Sequence, residues 1–209
     1  MEVVRVEIKY AVPENLAGWT LQWAGVFLRR DQGLTGPQKL TTLYLDTPTL
    51  AFYRWHSEER PERFKLRVRG YSHGPQDRVW AEIKTKKGIV IRKDRAAVST
   101  NRLDALLHGE TPASELQEFV RRRRAFDASP KLLVACERDA LREKSAAGEI
   151  GVTVDRHIRY QPTRRNDLID DPHLWRPVQL PQLLPLLTLD KPPQAIVELK
   201  YMQTAPSWM

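Results

Sequence analysis

Residues 62–95 read ERFKLRVRGYSHGPQDRVWAEIKTKKGIVIRKDR. Arg63, Lys65, Arg67 and Arg69 recur at every second position; Glu82, Lys84 and Lys86, then Lys93 and Arg95, continue the pattern after a turn. Extended chain sends alternate side chains to opposite faces, so each set lines one side of a sheet. Between them stand Phe64, Leu66, Val68, Ile83 and Val90, which are core-type residues, with Arg92 the exception. The stretch predicts antiparallel strands over 62–71, 78–86 and 89–95, joined by Ser72–Asp77 and by Lys87-Gly88. Such a polar face ordinarily meets water, so the rest of the chain has to decide what it faces.

The stripe recurs on both sides of this stretch. In residues 3–12, Val4, Val6 and Ile8 alternate with Arg5, Glu7 and Lys9. Further strands are expected at 41–46, at 131–140 with Val134, Cys136 and Arg138 on one face, and at 149–159 with Glu149, Gly151, Thr153 and Asp155 on one face. A last strand at 195–201 places Glu198 beside Lys200. Helices are expected after Pro13, with Leu16, Trp19, Trp23 and Phe27 turned to the core, and over 48–57, with Thr47 as cap and Leu50 and Tyr53 inward. Two more fall at 100–108 and from Thr111-Pro112 onward, the latter burying Leu116, Phe119 and Val120. Arg121–Arg124 then read as a solvated, dipole-compensating helix end rather than a nucleic-acid surface. Residues 161–194, rich in proline and leucine, read as a surface excursion with a short helix near 166–176.

The 209 residues suit one domain with one sizeable core. A formal charge of +8 favours a polyanionic partner without choosing among nucleic acid, anionic lipid and phosphorylated small molecules. The single cysteine, Cys136, excludes an internal disulfide and reads as a packed thiol. His56, His73, His108, His157 and His173 lack metal-ligand spacing and read as surface or loop residues. No apolar stretch is long enough to span a bilayer and no signal peptide is evident, so a cytoplasmic protein is expected.

About eight antiparallel strands could form a conventional sandwich with charges outward, or close on themselves with charges inward and helices covering the apolar outside. The closed form needs counter-charge, because an unpaired buried ion is expensive. Glu7, Glu82 and Glu198 supply part of it, and a bound polyphosphate would supply the rest. Carboxylates and phosphates together also suit magnesium or manganese.

Arg5-Val6-Glu7-Ile8-Lys9-Tyr10, Tyr44-Leu45-Asp46-Thr47-Pro48 with Tyr53, Lys65–Tyr71, Glu82-Ile83-Lys84-Thr85-Lys86 with Lys93, and Val197-Glu198-Leu199-Lys200-Tyr201 together resemble the VTC domain. That is the polyphosphate polymerase branch of the triphosphate tunnel metalloenzymes. The resemblance implies an α+β fold: one closed eight-stranded antiparallel β-barrel over 1–209, with helices outside. It also implies transfer of the γ-phosphate of ATP to inorganic polyphosphate with Mn2+ or Mg2+, no nucleic-acid partner being expected. By that resemblance Lys9, Arg67, Arg69, Lys84, Lys93 and Arg138 bind the phosphates catalytically, and Lys65, Lys86 and Lys200 help to hold substrate. Glu198 would ligate the metal, while Glu7 and Glu82 would support it or the lysines. Asp155 is expected to pair with a neighbouring lysine rather than to help the metal.

The match departs at Gly151, where an arginine is expected, and the family's C-terminal helix has no counterpart before Met209. Hydrolysis of tripolyphosphate or a nucleoside triphosphate, and non-enzymatic polyanion binding through Arg121–Arg124, remain the alternatives.

Overall fold

The computed structural model describes residues 5–30, 35–72, 77–88, 90–110, 114–145, 148–169, 171–179, 193–202 and 204–209. The helix start at Thr111-Pro112, His73, the loop around Ala147, and Pro181, Pro185 and Pro192 lie outside the described residues. In chain order the elements are β1 (Arg5–Val12), α1 (Glu14–Phe27), β2 (Arg29–Arg30), β3 (Gln38–Asp46), α2 (Ala51–Ser57), β4 (Glu62–Tyr71) and β5 (Arg78–Lys87). β6 (Val90–Ser99), α3 (Leu103–His108), α4 (Gln117–Ala125), β7 (Ser129–Ser145), β8 (Gly148–Pro162), β9 (Arg176–Pro177) and β10 (Ala195–Met202) follow. All eight expected strands are present.

The ladder runs β1-β10-β8-β7-β3-β4-β5-β6, with β2 beside β7 and β9 beside β8. It is an open path: a pairing that closes it into a barrel is not found among the described residues. The chain divides into two compact units. The first comprises Met1–Lys39, Cys136–Ile158 and Pro177–Met209, and the second Leu40–Ala135 and Arg159–Arg176.

In the second unit the predicted two-faced sheet forms. Leu43, Leu45, Leu66, Val68, Val79, Ala81 and Ile83 are buried in one core with Phe52 of α2, Leu106 and Leu107 of α3, and Phe119 and Val120 of α4. The helices therefore pack on the apolar face of β3–β6, which leaves the charged side chains on the other. Rings of Phe52, Trp55, Phe64 and Phe126 meet tilted or edge to face, with centroids 4.6–5.8 Å apart, adding directional aromatic contacts to the burial.

Helix α2 forms with Thr47 among its caps, but it starts later than expected and turns a different residue inward. The helix begins at Ala51, with Leu50 in the left-handed region at φ 56°, and the cap comes from further back. Asp46 accepts from Phe52 N and Tyr53 N at 2.9 Å each, and Thr47 Oγ1 accepts from Ala51 N at 2.9 Å. Phe52 is the inward residue, whereas Leu50 and Tyr53 are exposed. The described residues of 166–176 form turns, not the short helix expected.

In the first unit α1 covers the apolar face of β1, β10 and β8, burying Ala17, Ala24 and Leu28 against Val12, Val152, Val154 and Val197. This reverses the orientation predicted for α1: Leu16, Trp19, Trp23 and Phe27 face outward, Trp19 at 75% exposure. Two stripes of helical spacing share this helix, and the small-residue stripe lets the helix axis approach the sheet more closely than tryptophan would. Trp23 and Phe27 instead meet the chain end, Trp23 Nε1 donating to Trp208 O at 3.0 Å and Phe27 stacking on the Trp208 ring at 4.8 Å.

Candidate functional site

Register decides which charges gather in the second unit. Across β3, β4, β5 and β6, Tyr44 stands opposite Arg67, Arg67 opposite Glu82, and Glu82 opposite Arg95. The neighbouring rows place Thr42 with Arg69, and Lys65 with Lys84 and Lys93. Arg63 and Lys86 pair at the next row out.

Glu82 is the centre of this face and is fully buried. Arg67 donates through Nε to Glu82 Oε2 at 2.7 Å, Lys93 Nζ reaches Oε1 at 2.8 Å, and Arg95 Nε lies 3.7 Å from Oε1. Burial works against the charge of Glu82, but Arg67 and then Lys93 overcome it and hold its pKa at about 2. Lys93 is pushed down to about 8, because burial and the nearby arginines outweigh Glu82. Burial would raise the Tyr44 phenol, yet Arg67, Arg69 and Lys65 bring it to about 8. Arg69 is buried and donates to Thr42 Oγ1 at 3.0 Å. Along β4–β6 this face carries Lys65, Arg67, Arg69, Lys84, Lys93 and Arg95 against one carboxylate.

The first unit holds a different cluster. Glu7 stands opposite Lys200, Lys9 opposite Glu198, and Glu198 opposite Thr153. Buried Glu198 meets Lys200 Nζ at 2.8 Å, Lys9 Nζ at 3.5 Å and the Thr153 hydroxyl at 3.3 Å. Lys200 and Lys9 hold its pKa well below the ordinary carboxylate range although burial opposes them. Arg138 forks onto Asp155 at 2.5 and 2.6 Å, so Asp155 does pair with a cation, but with an arginine rather than a lysine. Gly151 sits opposite Lys200, where a Cβ would come within 3.3 Å of Leu141 O; the backbone of β7 leaves little room for the expected arginine.

A divalent metal meets cations at both buried carboxylates: Glu82 and Glu198 each have both oxygens engaged. Glu198 and Glu7 lie on one face of β10 and β1, and among the described residues no three acidic, histidine or cysteine side chains gather into a metal-binding group. Such a pair fits a hard ion that takes most of its oxygens from phosphates and water, not an all-protein cage.

Elsewhere the polar residues serve local structure. Arg121 and Arg122 both pair with Glu118 at 2.6 Å, Arg122 also lies 4.7 Å from the Phe64 ring centre, and Arg124 donates to Gly109 O. The arginine run is therefore partly tied down rather than simply solvated. His108, His157 and His173 are exposed, whereas His56 is half-buried on α2, correcting its expected surface placement. Cys136 is half-buried. Tyr44 and Thr42, which sequence reading passed over, join the second-unit face because β3 pairs with β4; only the register reveals it.

No helix among the described residues is long and apolar enough to cross a membrane. Among curated proteins none matches the chain. Several solved structures are similar, two of which are described. A "putative adenylate cyclase" from Bacillus halodurans has TM-score 0.52 and 10% identity, over 97% of this chain and 81% of that one. A Pyrococcus horikoshii protein has TM-score 0.45 and 9% identity, over 96% and 79%. The first likeness shows an antiparallel, sheet-rich α+β fold in common. The VTC domain profile matches residues 4–209, essentially the whole sequence, and the chain belongs to the VTC domain family.

Proposed function

We propose that this protein is a polyphosphate polymerase that transfers the γ-phosphate of ATP to a growing inorganic polyphosphate chain. The observation that carries the reading is the Glu82 face, where Arg67, Lys93 and Arg95 converge on one buried carboxylate with Arg69 beside them, inside a family whose members resemble phosphoryl-transfer enzymes. Such an excess of positive charge on a partly buried face is relieved by a phosphate chain. The closed barrel implied by the family resemblance is part of this proposal.

Arg67 and Arg69 offer planar forks to phosphate oxygens, and Lys84 and Lys93 offer point charges. Glu82 holds Arg67 and Lys93 in place before substrate arrives, so little reorganisation is needed at the moment of transfer. A terminal phosphate oxygen of the acceptor chain attacks the γ-phosphorus, a new P–O–P bond forms, the bond to the β,γ-bridging oxygen breaks, and ADP leaves with that electron pair. The nucleophile is already ionised at neutral pH, so no general base is required and positioning with charge neutralisation does the work. In the first unit Lys9, Lys200 and Arg138 are cations suited to phosphate oxygens, and in the second Lys65 and Lys86 lie along the same face as Arg67. A manganese or magnesium ion, if bound, would be held by Glu198 and Glu7 together with phosphate oxygens and would supply positive charge to those oxygens.

Purified protein given ATP and manganese should produce ADP together with a polymer that exopolyphosphatase degrades. Orthophosphate without chain growth would assign hydrolysis instead, and neither product would refute enzymatic phosphoryl transfer.

A further inference from the structure

The Tyr44-Leu45-Asp46-Thr47-Pro48 motif with Tyr53 has no role in the phosphate chemistry above, yet it builds a cavity. Its volume is about 380 Å³, within the range of small-molecule sites, and its walls include Tyr44, Phe52, Tyr53, His56, Lys65 and Leu132. The walls are overwhelmingly apolar, with lysines Lys65 and Lys131 contributing positive charge.

Two features mark it as more than a packing gap. Leu50, another wall residue, is held at φ 56°, a conformation unfavourable for a side chain with a Cβ, and is fixed there by the Asp46 and Thr47 caps on either side of the turn. The result of that turn is that Leu50 and Tyr53 stay 43% and 66% exposed, where a relaxed helix start would have followed the inward pattern of the sequence. The cavity also adjoins the charged face: Tyr44 and Lys65 belong to both, and Tyr44 is directly opposite Arg67. Lys65 and Arg67 are two residues apart on β4, roughly 7 Å along the strand.

We propose that this cavity receives the base and ribose of the nucleoside triphosphate whose phosphates lie along the Arg67–Lys93 face. The inference rests on the phosphate reading of that face and adds the nucleoside to it. Tyr44, Phe52 and Tyr53 give aromatic surface for a planar ring, and Lys65 and Lys131 suit the negative charge that enters with it. His56 supplies a fixed polar edge. Its Nδ1 lies 2.9 Å from Phe52 O and must donate there, which leaves Nε2 as an acceptor suited to an amino-bearing base. Burial lowers the pKa of this ring, the bond to Phe52 raises it in part, and Lys65, Arg63 and Lys84 lower it again, to about 4, so the neutral acceptor form persists at neutral pH.

The test compares ATP with inorganic tripolyphosphate, which has the phosphates and no nucleoside, by calorimetric titration of the full chain. Leu132→Trp fills the cavity, and Tyr53→Ala removes an aromatic wall at an exposed position, so it keeps the test valid should the filled variant not fold. Each variant is expected to weaken ATP about tenfold, the size of one lost stacking contact, and to leave tripolyphosphate within about twofold. Variants that bind ATP like the wild type, or that lose both ligands equally, overturn the inference. So would an isoprenyl diphosphate that displaces ATP from the wild type better than ADP does, since the occupant would then be a hydrocarbon. Wild-type protein that binds neither ligand would contradict the phosphate reading itself and take this inference with it.

Discussion

The two buried glutamates, Glu82 and Glu198, are each surrounded by cations, but their faces have opposite electrostatic balance. Around Glu82, Arg67, Lys93 and Arg95 share a single fully buried carboxylate, and Lys65, Arg69 and Lys84 add charge on the same strands. Around Glu198, the cations Lys9, Lys200 and Arg138 are matched by Glu198, Glu7 and Asp155, and Lys9 is more than half exposed. A balanced face is at rest without a ligand. A face with surplus positive charge, partly removed from water, stores an unfavourable energy that an incoming anion releases. The Glu82 face is therefore the one built for phosphate, and the Glu198 face the one whose charges already answer one another.

The largest test of this contrast is in stability. Glu82→Gln removes the shared counter-charge of Arg67 and Lys93 and is expected to cost about 3–5 kcal/mol in urea denaturation. Glu198→Gln should cost about 1–2 kcal/mol, because Lys9 can turn to water. Equal losses would break the contrast.

A second test uses pH. Lys93 has a folded pKa of about 8 against 10.5 unfolded, and Tyr44 about 8 against 10.0. Both groups bind fewer protons in the folded state, so folding stability should rise as pH climbs from about 8 towards 10. Phosphate affinity should move the other way, falling roughly tenfold between about pH 7 and pH 9 as Lys93 loses its charge and Tyr44 gains one. Lys93→Arg, which stays charged, should flatten much of that fall; an unchanged slope would show that Lys93 does not face the ligand.

The smallest effect is expected at the arginine run. Arg121 is exposed and paired with Glu118 on its own helix, so Arg121→Ala should leave both the urea midpoint and tripolyphosphate affinity unaltered. A clear loss of affinity would restore the polyanion-binding alternative.

Much of this was legible in the sequence where a short period met a single partner. Alternation from Arg63 to Arg95 specified the strands and their two faces, and the Glu7, Lys9, Glu198 and Lys200 stripes did the same for β1 and β10. What was not legible depended on competition or on register. Helix α1 carries two stripes of equal period, and packing distance rather than hydrophobicity chose Ala17 and Ala24 over Trp19 and Trp23. At α2 Thr47 caps as expected but Asp46 caps beside it, and the helix starts at Ala51 with Leu50 and Tyr53 exposed. Tyr44 joined the charged face only through the pairing of β3 with β4, and the cavity it lines has no periodic signature at all.

The most direct measurement of the central claim is calorimetric titration of inorganic tripolyphosphate into wild-type protein and the Arg69→Met variant. Arg69 is buried on the Glu82 face and its hydrogen bond goes to a neutral threonine, so its charge is available to a phosphate. Saturable binding by the wild type and an affinity about thirtyfold weaker in the variant are expected, the effect of losing a charged hydrogen-bond donor. No binding by the wild type, or equal affinity in the two proteins, would contradict it.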